Sequence, residues 1–121
     1  MNRNKDLVQE ILKCCEKREE ILKKDQPISR YNHYFDKMRK LARQLINENR
    51  QDELLPYIDS ESINIRAEIA LILFHFYPEK CTQILQEISD MTIPTGLPRH
   101  LVLVAASAHN ALKYGIPKEY P

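Results

Sequence analysis

Apolar residues recur at helical intervals along most of this chain. Leu7, Val8, Ile11, Leu12, Cys14, Cys15, Ile21 and Leu22 trace one stripe and predict an amphipathic helix from about Lys5 to Lys24, closed by Pro27. A second helix is predicted from Ser29, a suitable N-cap, to Asn49. Tyr31, Tyr34, Phe35, Met38, Leu41, Ala42, Leu45 and Ile46 form its apolar stripe, and Arg39, Lys40 and Arg43 its wet face. Gln51 to Ile58 reads as a short amphipathic turn or helix, because Pro56 removes a backbone donor and limits its length.

After a polar break at Asp59, Ser60, Glu61 and Ser62, the pattern changes. From Ile63 to Tyr77 nearly every side is apolar, at Ile65, Ala67, Ile69, Ala70, Leu71, Ile72, Leu73, Phe74 and Phe76. A helix apolar around its circumference has to be covered by neighbours, so this segment is the expected centre of the fold. Pro78 stops it and suits the first turn of the next helix, where Cys81, Ile84, Leu85 and Ile88 keep helical spacing to about Met91. Thr92 to Pro98, with Pro94, Gly96 and Pro98, reads as a loop. The last helix is predicted from Arg99 to Tyr114, with alanines suited to close helix contact. Gly115 stands at the left-handed cap position, and Pro117 prevents continuation.

The chain of 121 residues suits one domain spanning 1–121, and two glycines are too few for the tight turns of a β-sandwich. The expected fold class is therefore all-α. Net charge is +1, but residues 1–50 carry thirteen Lys/Arg against eight Asp/Glu, and residues 51–121 five against nine. Signs alternate along Lys13, Glu16, Lys17, Arg18, Glu19, Glu20, Lys23 and Lys24, which reads as a solvated helix face rather than a phosphate-binding strip. An odd set of cysteines, Cys14, Cys15 and Cys81, without Cys-x-x-Cys spacing, and a polar start without an apolar h-region point to a reducing cytoplasm. No stretch approaches the roughly 18 apolar residues of a membrane span.

The stretch Leu54-Leu55-Pro56-Tyr57-Ile58-Asp59, then Ile65-Arg66, Ala67 and Ala70, resembles the turn between the paired helices of a HEAT repeat. The acidic residue is suited to cap the second helix and to pair with the arginine on its first turn, while small alanines allow close approach. With Tyr31-Asn32-His33-Tyr34-Phe35-Asp36 and the ending Ala111-Leu112-Lys113-Tyr114-Gly115, the chain resembles a family of small bacterial HEAT-like proteins known as a domain of unknown function. The resemblance covers roughly residues 20–115 in the family's order. Ile65 stands for the usual valine, Glu68-Ile69 displaces a small residue, and the Thr92 to Pro98 loop is peculiar to this chain. The resemblance implies a right-handed stack of about five to six helices, an α-solenoid fragment, and brings no catalytic residues.

Candidate chemistry is sparse. Among His33, His75, His100 and His109, only His75 with Cys81 suggests a metal pair, and the closely spaced ligand pairs of zinc sites are missing. The cysteines fall on or beside apolar stripes, where a thiol behaves as a small hydrophobe rather than a nucleophile. Glu19-Glu20 and Asp52-Glu53 read as solvent-facing acids, and there is no phosphate-cradling glycine loop, no His-Glu-x-x-His and no Gly-x-Ser-x-Gly. No cofactor or metal is expected, and an enzyme is the weakest reading.

The leading expectation is a protein-binding module, specifically an immunity-type protein that blocks a toxin domain. Asp59, Glu61, Glu68 and Asp90 are the acids expected to meet a basic partner. Tyr31, Tyr34 and Phe35 read as core, with Tyr31 and His33 at the edge of a recognition surface. The alternative is nucleic-acid binding through Lys37, Arg39, Lys40, Arg43 and Arg50, against which stands an isoelectric point near 7.7. The mixed first helix could cap the stack or form a dimer face.

Overall fold

The computed structural model describes residues 6–92 and 99–121. Among these the chain is entirely helical: α1 (Leu7–Lys23), α2 (Ile28–Asn47), a 3-10 helix (Gln51–Asp59), α3 (Ile63–Leu73), α4 (Pro78–Ser89), a short 3-10 turn (Asp90–Thr92) and α5 (Arg99–Tyr114). Residues 93–98 of the expected loop lie outside the described residues.

Local chemistry sets the boundaries. The Asp6 carboxylate accepts from the Gln9 amide at 3.2 Å and starts α1, with Glu10 in the first turn and Lys23 in the last, the favoured signs at the two ends of the helix dipole. Pro27 occupies the N-cap position of α2, so Ser29 lies inside the helix instead of capping it as expected. Asn49, at φ 59°, turns the chain out of α2, with the Arg50 amide bonded back to Leu45 O at 2.9 Å. At α3 the cap is Ser62, whose hydroxyl accepts from the Ile65 amide at 3.2 Å. The expectation that Asp59 would cap this helix and hold Arg66 is corrected accordingly, and Arg66 Nε has no hydrogen-bond partner.

The central helix ends at Leu73, four residues before the expected Tyr77. Proline disfavours helical backbone in the residue before it, and Tyr77, ahead of Pro78, is accordingly at φ −135°, ψ 65°. Pro78 then serves as the first residue of α4. Past Leu73 the apolar run emerges from cover: Phe74 is half-buried, and Phe76 is exposed, not core. At the far end, Gly115 adopts φ 87° and its amide reaches Ala111 O at 2.9 Å, the cap expected of it.

Sequential elements pair: α1 packs along α2, the 3-10 helix along α3, and α4 along α5. The central α3 also meets α1, α4 and α5. One buried apolar cluster runs through all of them, with Ile11 and Cys15 from α1, Met38 and Leu45 from α2, Leu54 and Ile58 from the 3-10 helix, Ile69 and Leu73 from α3, Leu85 and Ile88 from α4, and Ala105 from α5. Each large aliphatic side chain buried there contributes about 1.5–3 kcal/mol. Buried Ala67, Ala70, Ala105 and Ala108 let the helices approach closely. Beyond α5 the chain folds back over α2 and the end of α3. Arg43 donates to the carbonyls of Glu119, at 3.0 Å, and Pro121, and His75 Nε2 lies 2.8 Å from Pro117 O. No described helix is long and apolar enough to cross a membrane.

Candidate binding cleft

The buried stripe of α1 passes through Ile11, Cys14, Cys15 and Ile21, and Arg18 stands on that same stripe. Its guanidinium is therefore carried inward, where it forms an ion pair with Glu68 of α3, each side chain only 8% exposed. Burial of Arg18 corrects the reading that placed it on a solvated alternating face, and Glu68 is buried with it rather than exposed. An uncompensated charge at this depth costs several kcal/mol, so the two must be buried together.

Aromatic rings cover the guanidinium. The Arg18 guanidinium lies 4.0 Å from the Tyr31 ring centroid and 4.7 Å from that of Phe35. Phe35 stacks on Tyr120 of the C-terminal segment at 6.4 Å and 25°, and Arg39 sits beside both rings, 5.7 Å from Phe35 and 5.5 Å from Tyr120. Cation–π attraction strengthens as water is removed, which favours this layering of guanidinium and ring. Burial pulls the Arg18 guanidinium below its ordinary value, an effect opposed by Tyr31, Cys15 and Tyr120. Burial also pushes the Tyr120 phenol up to about 12, with Arg18 and Arg39 acting the other way.

Beside this assembly lies a partly open cleft of about 360 Å³. One wall is a single face of α3, where Asn64, Ala67, Glu68 and Leu71 follow one another at helical spacing. The opposite wall comes from α5, through Val104, Ser107 and Ala111, and the C-terminal segment closes one side with Ile116 and Tyr120. Asn64 is itself buried and donates to Cys15 O at 2.9 Å, which ties the start of α3 to α1. Two buried polar atoms of lining residues, Arg18 Nε and the Tyr120 hydroxyl, lack hydrogen-bond partners and are themselves closed off from the open cleft. Arg39 Nε, behind the rings, lacks one too. Its size and largely apolar lining are attributes of a binding site.

Of the predicted partner-binding residues, the structure brings Tyr31 and Glu68 to this cleft. His33 is exposed and meets the Tyr34 ring edge-on at 5.1 Å. Asp59, Glu61 and Asp90 are exposed and outside the cleft, and Asp90 accepts from Gln86 at 2.9 Å. Tyr34 and Phe35 are half-buried against the core.

The other candidate chemistries are not assembled. Burial pushes the Cys15 thiol up to about 12 and that of Cys81 to about 11, and also raises Cys14. Neutral, buried thiols of this kind are poor nucleophiles. His75 is exposed and turned to the C-terminal segment while Cys81 is fully buried, and among the described residues no three His, Cys, Asp or Glu side chains converge as metal ligands. The basic strip is partly spent internally. Arg43 holds the C-terminal segment, Arg39 lies on two rings, and Arg50 is clasped by Glu48 and Glu53 at 2.8 Å each.

No family model, no curated protein and no solved structure matches this chain.

Sequence reasoning named Tyr31 and Glu68 and missed the assembly around them. The signal for Arg18 was present, since it occupies an inward position of an apolar stripe. The signal for Glu68 was a lone acid in a helix otherwise apolar on nearly every side. Tyr120 carried none, because its place depends on the return of the chain after Gly115.

Proposed function

We propose that this chain is a non-enzymatic protein-binding module, built as a short HEAT-like right-handed stack, that receives its partner on the side where α1, α3 and α5 meet. The observation that carries this reading is the apolar cleft with the Arg18–Glu68 pair at its wall. Charged groups are buried at a cost, and retaining such a pair beside an open cleft is better matched to recognition than to stability. Helix pairs formed by neighbours in sequence, with α3 touching both α1 and α5, support the stacked arrangement.

Within this class we favour an immunity-type protein that occupies a toxin domain in the cytoplasm. Three free, buried cysteines suit a reducing compartment. Exposed Asp59, Glu61 and Asp90 remain the acids available to a basic partner, whereas Glu68 acts inside the cleft. Affinity capture from the source cells at low and moderate salt tests this directly. The expected result is one stoichiometric protein, toxic alone, whose retention weakens with salt through the exposed acids. Recovery of nucleic acid alone overturns the reading in favour of the basic strip of α2.

A further inference from the structure

The segment after α5 is held to the helical body by a few separate contacts. Residues 116–121 form no helix, and the Tyr120 amide bonds back to Pro117 O at 3.0 Å in a turn. Lys118 and Glu119 are exposed, Tyr120 is half-buried and Pro121 is buried. The segment is fastened by Arg43, which donates to the carbonyls of Glu119 and Pro121, and by His75, whose Nε2 lies 2.8 Å from Pro117 O. It is fastened again by the Tyr120 ring, laid against Phe35 and Arg39. Segments with so little buried apolar surface belong to the low-stability end of a fold and open without global unfolding.

Its seat is also poorly satisfied. Among the described residues five buried side-chain nitrogen or oxygen atoms lack a hydrogen-bond partner, and three of them gather here: the Tyr120 hydroxyl, Arg39 Nε beside its ring, and Arg18 Nε on the other side of Phe35. Buried polar groups are ordinarily paired, and an unpaired one bears its whole desolvation cost. Lifting the segment carries the Tyr120 hydroxyl into water and uncovers Arg39, so opening relieves a cost that closure imposes. A pivot stands at the right place. Gly115 adopts φ 87°, which glycine holds without strain, and a Cβ built there would meet nothing within 4 Å, so the backbone has free space in which to swing.

We propose that residues 116–121 form a strap that pivots at Gly115 and lifts off α2 while the helical body stays folded. Ile116, Pro117 and Tyr120 line one side of the cleft, so the lifted strap opens that side and extends the cleft over Phe35 and Arg39. The strap adds regulation to the proposed binding site. Its role rests on that reading and its motion does not.

The test is native-state hydrogen exchange of the full chain, read amide by amide by NMR over a range of low urea concentrations. The Tyr120 amide should be protected and should exchange through an opening that urea barely changes, because little surface is exposed. The Ile69 and Leu73 amides of the central helix should exchange only through global unfolding, with its steep urea dependence. Arg43→Ala, which frees two carbonyls of the strap, should speed exchange at Tyr120 by roughly 10-fold. Tyr120→Phe, which removes the unpaired hydroxyl, should slow exchange at position 120 by roughly 2–5-fold. An amide at 120 that follows the urea dependence of the central helix, that is unprotected in the wild type, or that either substitution leaves unchanged or moves the other way overturns the strap. If the strap fails while a stoichiometric partner is captured, the binding role stands. If the strap opens as expected and no partner is captured, the role falls and the strap stands.

Discussion

The two sides of α3 solve opposite problems. Toward α4 and the core it presents Ile69, Ile72 and Leu73, all essentially without exposure, in the same apolar cluster as Cys81, Leu85 and Ile88. Nothing charged is buried there. Toward α1 and the cleft it presents Asn64, Ala67, Glu68 and Leu71, with a guanidinium, a carboxylate and an amide taken out of water and two donors left unpaired. A dry aliphatic junction yields stability from area and packing alone. A buried ion pair returns little net stability for its desolvation, and this contrast between the two sides is what the proposed binding role rests on.

This contrast can be broken by mutation, and the largest effect is expected on the polar side. Glu68→Leu strands the Arg18 charge and should cost about 3–5 kcal/mol in urea unfolding, whereas Arg18→Met combined with Glu68→Leu should recover most of that loss or exceed the wild type. On the dry side Leu85→Ala leaves a cavity and should cost about 2–5 kcal/mol, with no compensating second change. The two sites thus respond differently to double substitution, which double-mutant cycles read directly.

Alkaline pH sharpens the same comparison. Tyr120, ordinarily titrating near 10, is raised to about 12, and Cys15, ordinarily near 9, is also raised to about 12. Groups whose folded values are raised hold protons longer in the folded chain, so their contribution is complete below the unfolded values and is lost as pH rises through the folded ones. Stability should therefore fall between about pH 9 and 12, first at 9 through Cys15 and then above 10 through Tyr120. In Tyr120→Phe the fall above pH 10 should become shallower in pH-dependent melting curves, while the part carried by Cys15 and Cys81 persists.

Smaller effects follow from caps and from the unpaired hydroxyl. Ser62→Ala removes the α3 cap and should cost about 1 kcal/mol, lowering the melting temperature without altering the cleft. Tyr120→Phe should be neutral or slightly stabilising near neutral pH, by up to about 1 kcal/mol, because the hydroxyl it removes is buried without a partner. A clear loss of stability in that variant would show that the hydroxyl is satisfied within the fold.

Much of the architecture was legible locally. The stripes of α1 and α2, the central place of α3, the start of α4 at Pro78 and the end of α5 at Tyr114 follow from periodicity, proline and glycine. Less legible was where competing signals met. Ser62 rather than Asp59 caps α3 because its hydroxyl stands three residues before the Ile65 amide. The apolar pattern runs on to Tyr77, but Pro78 dictates the backbone before it and ends the helix early. Arg18 shows the sharpest conflict. Sign alternation suggested solvent while stripe position demanded burial, and the stripe prevailed because Glu68 was available across the interface. Tyr120 was beyond local reasoning, since its contacts with Phe35 and Arg39 join residues far apart in sequence.

The central claim, that the Arg18–Glu68 pair serves recognition more than stability, is tested most directly by the Arg18→Met, Glu68→Leu double variant, followed for melting temperature and partner retention together. The account predicts a melting temperature at or above that of the wild type and loss of the captured partner. A double variant that keeps its partner in full, or that melts well below the wild type, would contradict it.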